Sequence, residues 1–175
     1  NHVLENAKAL IFAGLFFNGK EAQYWLNKGI KILEKELKEQ ILEDGAHFEL
    51  SPMYHSIIFD LVLDIYELTS VSNHPKHNSL IKIKYLLEDS IIKMSHWLGS
   101  MTHPDGEIPY FNDSVVGVAK QPEFYLSRAK ELLPNTKTSD YSDIISFKDS
   151  GYIRVSKRDF ILFFKCSDVK PSYQP

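Results

Sequence analysis

Two groups of polar residues have the types and spacing to move protons. Asn1, His2 and Glu5 stand at the head of the chain, and "HFELSPMYH", residues 47–55, sets His47, Glu49, Tyr54 and His55 around Pro52. An imidazole ionises close to neutrality and can take or give a proton there. A phenol, with a pKa of about 10, can protonate a leaving oxygen while neutral, and acts as a base only where its surroundings lower that value. A carboxamide donates hydrogen bonds to an anion without adding fixed charge. Each group also has a structural use. An asparagine ahead of a helix is a cap, a His-x-x-Glu pair on one helix face is a surface contact, and a tyrosine in a first turn can simply pack. His47, Glu49 and His55 together suggest zinc. Their spacing is not that of a His-Glu-x-x-His helix, however, and they straddle a proline, so no metal is placed on them.

The elements that must position these residues are mostly helical. Residues 3–17 predict a helix apolar on nearly every side, hence buried all round. Asn18-Gly19 ends it. Ala22, Leu26, Ile30, Leu33, Leu37 and Ile41 then mark one face of an amphipathic helix, and its lysines and glutamates read as a solvated face. Asp44-Gly45 is the next break. Ser51 as N-cap and Pro52 as first helical residue open a third helix, carried on by Ile57, Ile58, Leu61, Val62, Ile65 and Leu68. A polar loop over 70–79 leads to a fourth, with Leu80, Ile83, Leu87, Ile91, Met94 and Leu98 as its stripe. Two consecutive helical hairpins of this kind suggest a solenoid or an α/α toroid.

After Gly99 the periodicity stops. "THPDGEIPYFND", residues 102–113, carries a turn signal and aromatics, and a short helix is predicted over Glu123–Leu133. From Tyr141 the pattern is β, with "SGYIRVS" and "DFILFFKC" as strands joined at Lys157-Arg158. Two strands do not hold a sheet alone, so a β-rich domain is expected to begin near residue 140 and run past residue 175. The start at Asn1 without methionine and the end at Tyr173-Gln174-Pro175 read as cuts from a longer protein.

Composition narrows the classes. The 175 residues, 43% apolar and 25% charged, fit one good-sized globular domain or one domain and part of another. A net charge of -3 provides no basic field, which argues against a nucleic-acid partner and means that an acidic ligand needs local neutralisation. The single cysteine, Cys166, excludes an internal disulfide framework and a cysteine-rich zinc site. The apolar run Ala9–Phe17 is too short to be a transmembrane segment.

"NHVLENAKALIFAGLFF", "DGAHFELSPMYH", "PDGEIPYFND" and "SGYIRV" follow in the order and spacing of heparinase II/III-like proteins, and the chain resembles that family over essentially its whole length. It looks most like the branch found with bacterial surface-polysaccharide genes. The resemblance implies a mainly α chain: the C-terminal part of an (α/α) toroid of helical hairpins over 1–139, then the first strands of an antiparallel β-sandwich over 140–175. It implies a polysaccharide lyase acting on a uronic-acid-containing, acidic polysaccharide or oligosaccharide. Asn1, His2 and Tyr54 match the family's catalytic positions, and Glu5 matches a glutamate that some members use on substrate. A further catalytic histidine, in a Gly-His-x-His motif, would lie just beyond Pro175. The resemblance implies no cofactor in this segment, leaves room for a structural divalent metal in the rest of the β domain, favours the periplasm or cell envelope, and leaves the oligomeric state open.

In that frame the chemistry is β-elimination. The uronate carboxylate must be neutralised, the C5 proton removed and the C4 oxygen protonated as it leaves. Asn1 would neutralise. His2 would share that task or act as base, Tyr54 would act as acid or, if activated, as base, and Glu5 would orient His2 or meet sugar hydroxyls. His47 and Glu49 would line the cleft, with loop bracing as the structural alternative. His55, about 100° around the helix from Tyr54, would stand behind it. Tyr110, Asn112 and Asp113, beside Phe111, suit a sugar subsite, the alternative being an Asx-turn. His74, His77 and His96 read as surface or interhelix residues, and Arg154 could pair with a carboxylate. Two rivals remain: a glycoside hydrolase on a similar scaffold using Glu49 and Asp113, and a non-catalytic sugar-binding protein.

Overall fold

The computed structural model describes residues 1–69, 77–138, 142–158 and 160–167, with residues 77 and 79 by backbone only. Most of the loop expected over 70–79, with His74, lies outside the described residues. So do the boundary expected near residue 140 and the Tyr173-Gln174-Pro175 end.

Helix α1 (His2–Phe16) buries Leu4, Ala7, Ile11 and Gly14, a stripe at three- and four-residue steps. The stripe lies mainly against α2 (Lys20–Gln40). The helices approach closely at Gly14, where a Cβ would come within 2.6 Å of the Leu26 backbone nitrogen. Burial on all sides is not what the structure shows. Val3, Phe12 and Phe16 are exposed, because among the described residues only the one stripe of α1 meets other helices. On α2 the expected apolar face turns inward, but it carries two further residues. Glu36, read from sequence as part of the solvated face, and Gln40 are buried beside Leu33 and Leu37.

Helix α3 (Pro52–Thr69) begins at the expected proline and packs on α4 (His77–Ser100), while α5 (Pro122–Leu132) lies against both. Their apolar stripes merge with those of α1 and α2 into one core that includes Leu4, Leu33, Ile58, Leu61, Leu87 and Met94. A charged clasp fixes the outer edge. Arg128 of α5 donates to Asp60 (2.8 Å), Asp64 (2.6 Å) and Glu67 of α3, and Lys8 of α1 reaches Asp64 at 2.5 Å.

Three strands follow: β1 (Ile144–Phe147), β2 (Tyr152–Lys157) and β3 (Phe160–Lys165), antiparallel in the order β1-β2-β3. Sequence reading found β2 and β3 and missed β1, whose four residues are too few to show an alternation. Ile145, Phe147 and Tyr152 point toward the helices and form a second core with Ala46, Leu50, Trp97 and Met101. Ile144, Leu162 and Phe164 are exposed on the opposite face. The sheet is therefore docked on the helical part by its own apolar layer. No described helix is long and apolar enough to cross a membrane.

The link between α2 and α3 is pinned to α4 at Gly45. Its φ is 90°, and a Cβ there would sit inside van der Waals contact of the Lys93 carbonyl oxygen. Gly45→Ala is expected to cost at least about 3 kcal/mol, combining left-handed strain with overpacking. Gly106 has a φ of 89° with nothing within 4 Å of the added carbon, so Gly106→Ala should lose the strain alone. Urea midpoints of the two variants check this, and equal losses would show that the Lys93 contact relaxes freely.

Candidate active site

The segment between α2 and α3 is built to present side chains in fixed directions. Leu42 N donates to Ala46 O (2.9 Å), Phe48 N to Gln40 O (2.8 Å) and Leu50 N to His47 O (2.9 Å). Leu50 itself sits at a φ of 56°, which a branched side chain seldom accepts. Its carbonyl is held from two sides, by the Tyr152 hydroxyl at 2.6 Å and the Asn112 side-chain amide at 2.7 Å. The same amide lies 3.3 Å from the Glu49 carbonyl, and Lys165 of β3 donates to the Asn112 side-chain oxygen at 3.0 Å. Ser51 then caps α3: its hydroxyl accepts from Tyr54 N at 3.4 Å and pairs with the Ser114 hydroxyl at 2.9 Å, which also accepts from Met53 N. Tyr54 is thereby fixed in the first turn of α3, half-buried, with its ring against the main core.

Asn1 meets this segment directly. It occupies the N-cap position of α1, yet its side chain makes no capping bond. Its carboxamide Nδ2 instead donates to Glu49 Oε2 at 3.1 Å, and its backbone nitrogen lies 3.5 Å from Oε1. Residues 48 positions apart are thus brought together, at the turn that leads into Tyr54. His2 and Glu5 are exposed on the first turns of α1.

His47 stands behind Glu49 rather than on open surface, being 1% exposed. Its Nε2 lies 3.1 Å from Gln40 Oε1, and Gln40 Nε2 donates to Glu36 Oε2 at 2.8 Å. A carboxylate only accepts, so the Gln40 amide must turn its nitrogen to Glu36 and its oxygen to His47. His47 therefore carries its proton on Nε2. Its Nδ1 is a buried lone pair without a hydrogen bond, 4.0 Å from Glu49 Oε2. Burial holds the His47 imidazole well below its ordinary pKa, reinforced by His55, so the ring is neutral. His55 is buried too, its Nε2 donating to Met94 O at 3.2 Å and its ring 4.4 Å from that of Trp97. Burial pushes it down to about 3 against the opposing pull of the Met94 carbonyl.

The remaining expected site residues are more dispersed. Tyr110 is half exposed, its hydroxyl 3.4 Å from Glu107, and Asp113 is exposed on the loop that supplies Asn112. Asn112 adopts a φ of 54° and spends its amide on backbone carbonyls across the loop, not on its own turn. Among the described residues no three His, Cys, Asp or Glu side chains converge to hold a metal ion. Sequence reasoning missed Glu36, Gln40, Tyr152 and Lys165. The first two were visible in principle, since 33, 36, 37 and 40 continue the inward stripe of α2. Arg154 has buried Nε and Nη1 atoms without a hydrogen bond, so the carboxylate partner considered for it is not found among the described residues.

Comparison with known proteins adds an independent line. Residues 1–141 match the profile of the heparinase II/III N-terminus. A heparin-sulfate lyase of Bacteroides stercoris is 34% identical over 139 residues, covering 77% of this chain and 18% of the relative. A heparin-sulfate lyase of Bacteroides thetaiotaomicron is 30% identical over 162 residues, covering 88% and 20%. The chain thus spans about a fifth of the length of the curated relatives it matches. Among solved structures, heparinase III superposes with a TM-score of 0.69 at 23% identity, over 87% of this chain and 26% of that one. A heparan sulfate lyase mutant from Pedobacter heparinus gives 0.64 at 25% identity, over 89% and 26%. Those neighbours carry a helical toroid followed by a β-sandwich, the architecture that the five helices and the docked sheet follow here.

Proposed function

The chain belongs to the heparinase II/III family, and on that premise we propose that the protein carrying it cleaves an acidic, uronate-containing polysaccharide by β-elimination. The observation that carries this reading is the Asn1 carboxamide, withdrawn from capping its own helix and held at the turn that starts α3. A carboxamide placed there can donate to the uronate carboxylate and stabilise the enolate-like charge that develops when the C5 proton leaves. The C5–H electron pair becomes the C4–C5 double bond, the C4–O bond breaks, and the departing oxygen takes a proton. The reading assigns those two proton transfers to Tyr54, in the first turn of α3, and to His2, exposed on α1. The histidine expected in the Gly-His-x-His motif completes the proposed set from the β domain.

Two features support an acidic substrate over a neutral one. The curated relatives are heparin-sulfate lyases, and the Asn1 carboxamide is a hydrogen-bond donor of a kind that a carboxylate and its developing enolate accept. Heparan sulfate is the first substrate to offer. The protein at full family length is expected to release products with a 4,5-unsaturated uronate, followed by their ultraviolet absorbance. New reducing ends without that absorbance would mean hydrolysis and revive the paired-carboxylate alternative, and binding without either product would leave a sugar-binding protein.

A further inference from the structure

Glu49 occupies an odd position for a residue that touches an acidic sugar. Its carboxylate would repel a uronate, and it is turned away from open solvent, its side chain 13% exposed. What it does touch is Asn1. The carboxamide nitrogen at 3.1 Å is the one side-chain donor to Glu49 among the described residues, since the facing His47 Nδ1 carries a lone pair and cannot donate.

A carboxamide has two ends of nearly equal shape that differ in chemistry: one donates two hydrogen bonds and the other accepts. A carboxylate oxygen, as acceptor only, selects between them. With Glu49 in place, the amide nitrogen of Asn1 must face it. The flipped orientation would set oxygen against oxygen. One N–H is then used on Glu49 and the other stays free to donate to an anion. Among the described residues no second side-chain bond fixes Asn1, and the capping bond that asparagine would make in its position is absent.

Glu49 is itself held. The turn bond from Leu50 N to His47 O, the left-handed Leu50 and the Asn112 amide on the Glu49 carbonyl define its backbone. Behind it stands the buried Glu36–Gln40–His47 chain, with His47 Nδ1 4.0 Å from the carboxylate. We propose that Glu49 is a positioning residue, which acts through Asn1 by fixing the carboxamide with its free N–H available to the substrate carboxylate, and does not contact sugar. The kinetic part of this proposal rests on the lyase reading; the structural part does not.

The test uses the protein at full family length, with heparan sulfate and detection of the unsaturated uronate. Glu49→Ala is expected to lower kcat ~10- to 100-fold with KM within ~3-fold, because a misoriented donor is lost mainly to the transition state. Glu49→Gln, which can still accept from Asn1, should recover most of that loss. The discriminating arm is the cycle with Asn1→Ala: once the carboxamide is gone, removing Glu49 as well should cost little more. Losses that multiply, or a Glu49→Ala variant that raises KM at unchanged kcat, would overturn the proposal in favour of direct sugar contact. A neutron structure of Glu49→Ala, which tells the amide nitrogen from the oxygen, decides the matter even if no polysaccharide is cleaved. An Asn1 carboxamide that turns or splits into two orientations supports positioning, and one that stays unmoved overturns it. Absence of unsaturated product from the unsubstituted protein strikes the lyase reading alone.

Discussion

Tyr54→Phe lowers the rate of elimination by ~10²- to 10⁴-fold while leaving the protein folded, if Tyr54 transfers a proton. The substitution removes one oxygen and keeps the ring. That ring packs against the main core at the start of α3, and no hydrogen bond of the Tyr54 hydroxyl occurs among the contacts of the described residues. The helix start is secured by other groups, since Ser51 and Ser114 carry the cap. Thermal stability should therefore stay within about 0.5 kcal/mol, as for substitutions away from special packing features. Initial rates from the absorbance of unsaturated product, at saturating heparan sulfate, provide the measurement. Turnover within a few-fold of the parent at an unchanged unfolding midpoint would remove Tyr54 from the proton-transfer step, leaving His2 and the expected β-domain histidine.

A second large effect concerns acid. His47 and His55 are buried and neutral, His47 well below its ordinary pKa and His55 at about 3. In the unfolded chain both return to about 6.5, so below that value the unfolded state binds more protons than the folded one. Stability is accordingly intact above pH 6.5 and declines as pH falls, down to about 3 for His55. The sign is that of a depressed folded-state pKa. His55 contributes a loss of about 2 kcal/mol between neutrality and pH 5, and His47 adds to it in the same direction. Urea midpoints at pH 7.5, 6.5, 5.5 and 5 should fall steadily. His55→Phe, set against Trp97 and Phe59 in place of the imidazole, should make the slope shallower while lowering stability at neutral pH through the lost Met94 bond. A flat profile in the parent would show that both rings reach water.

Sequence alone located α2, α3 and α4 because each carries an apolar stripe at helical spacing, and Ser51-Pro52 marked the start of α3; α5 was expected as a short helix over Glu123–Leu133. It overstated the burial of α1. Periodicity reports which residues are apolar, not how many neighbours the fold provides, and Phe12 and Phe16 are exposed. Strand β1 escaped because "IISF" is short and mixes a serine into its outward positions. The polar positions split along the same line. Asn1, His2 and Tyr54 stood out through motif order. The Asn1–Glu49 contact did not, since it spans 48 residues and depends on Leu50 adopting a conformation that its residue type disfavours. Glu36 and Gln40 were obscured by charge: a glutamate on a lysine-rich helix reads as solvated until a buried glutamine and histidine are found to pair behind it.

The Leu50 carbonyl that accepts from Tyr152 has a consequence for the order of synthesis. The two residues are 102 positions apart, and a growing chain leaves the ribosome with Leu50 and Tyr54 well before Tyr152. Until β2 has emerged and settled on α4, one of the two bonds on that carbonyl is missing, and Leu50 is free to relax toward an ordinary extended conformation. The turn that aims Glu49 at Asn1 then has no fixed geometry. On the lyase reading, the helices alone would hold the turn only loosely, and its geometry would become fixed in one late step, with docking of the sheet.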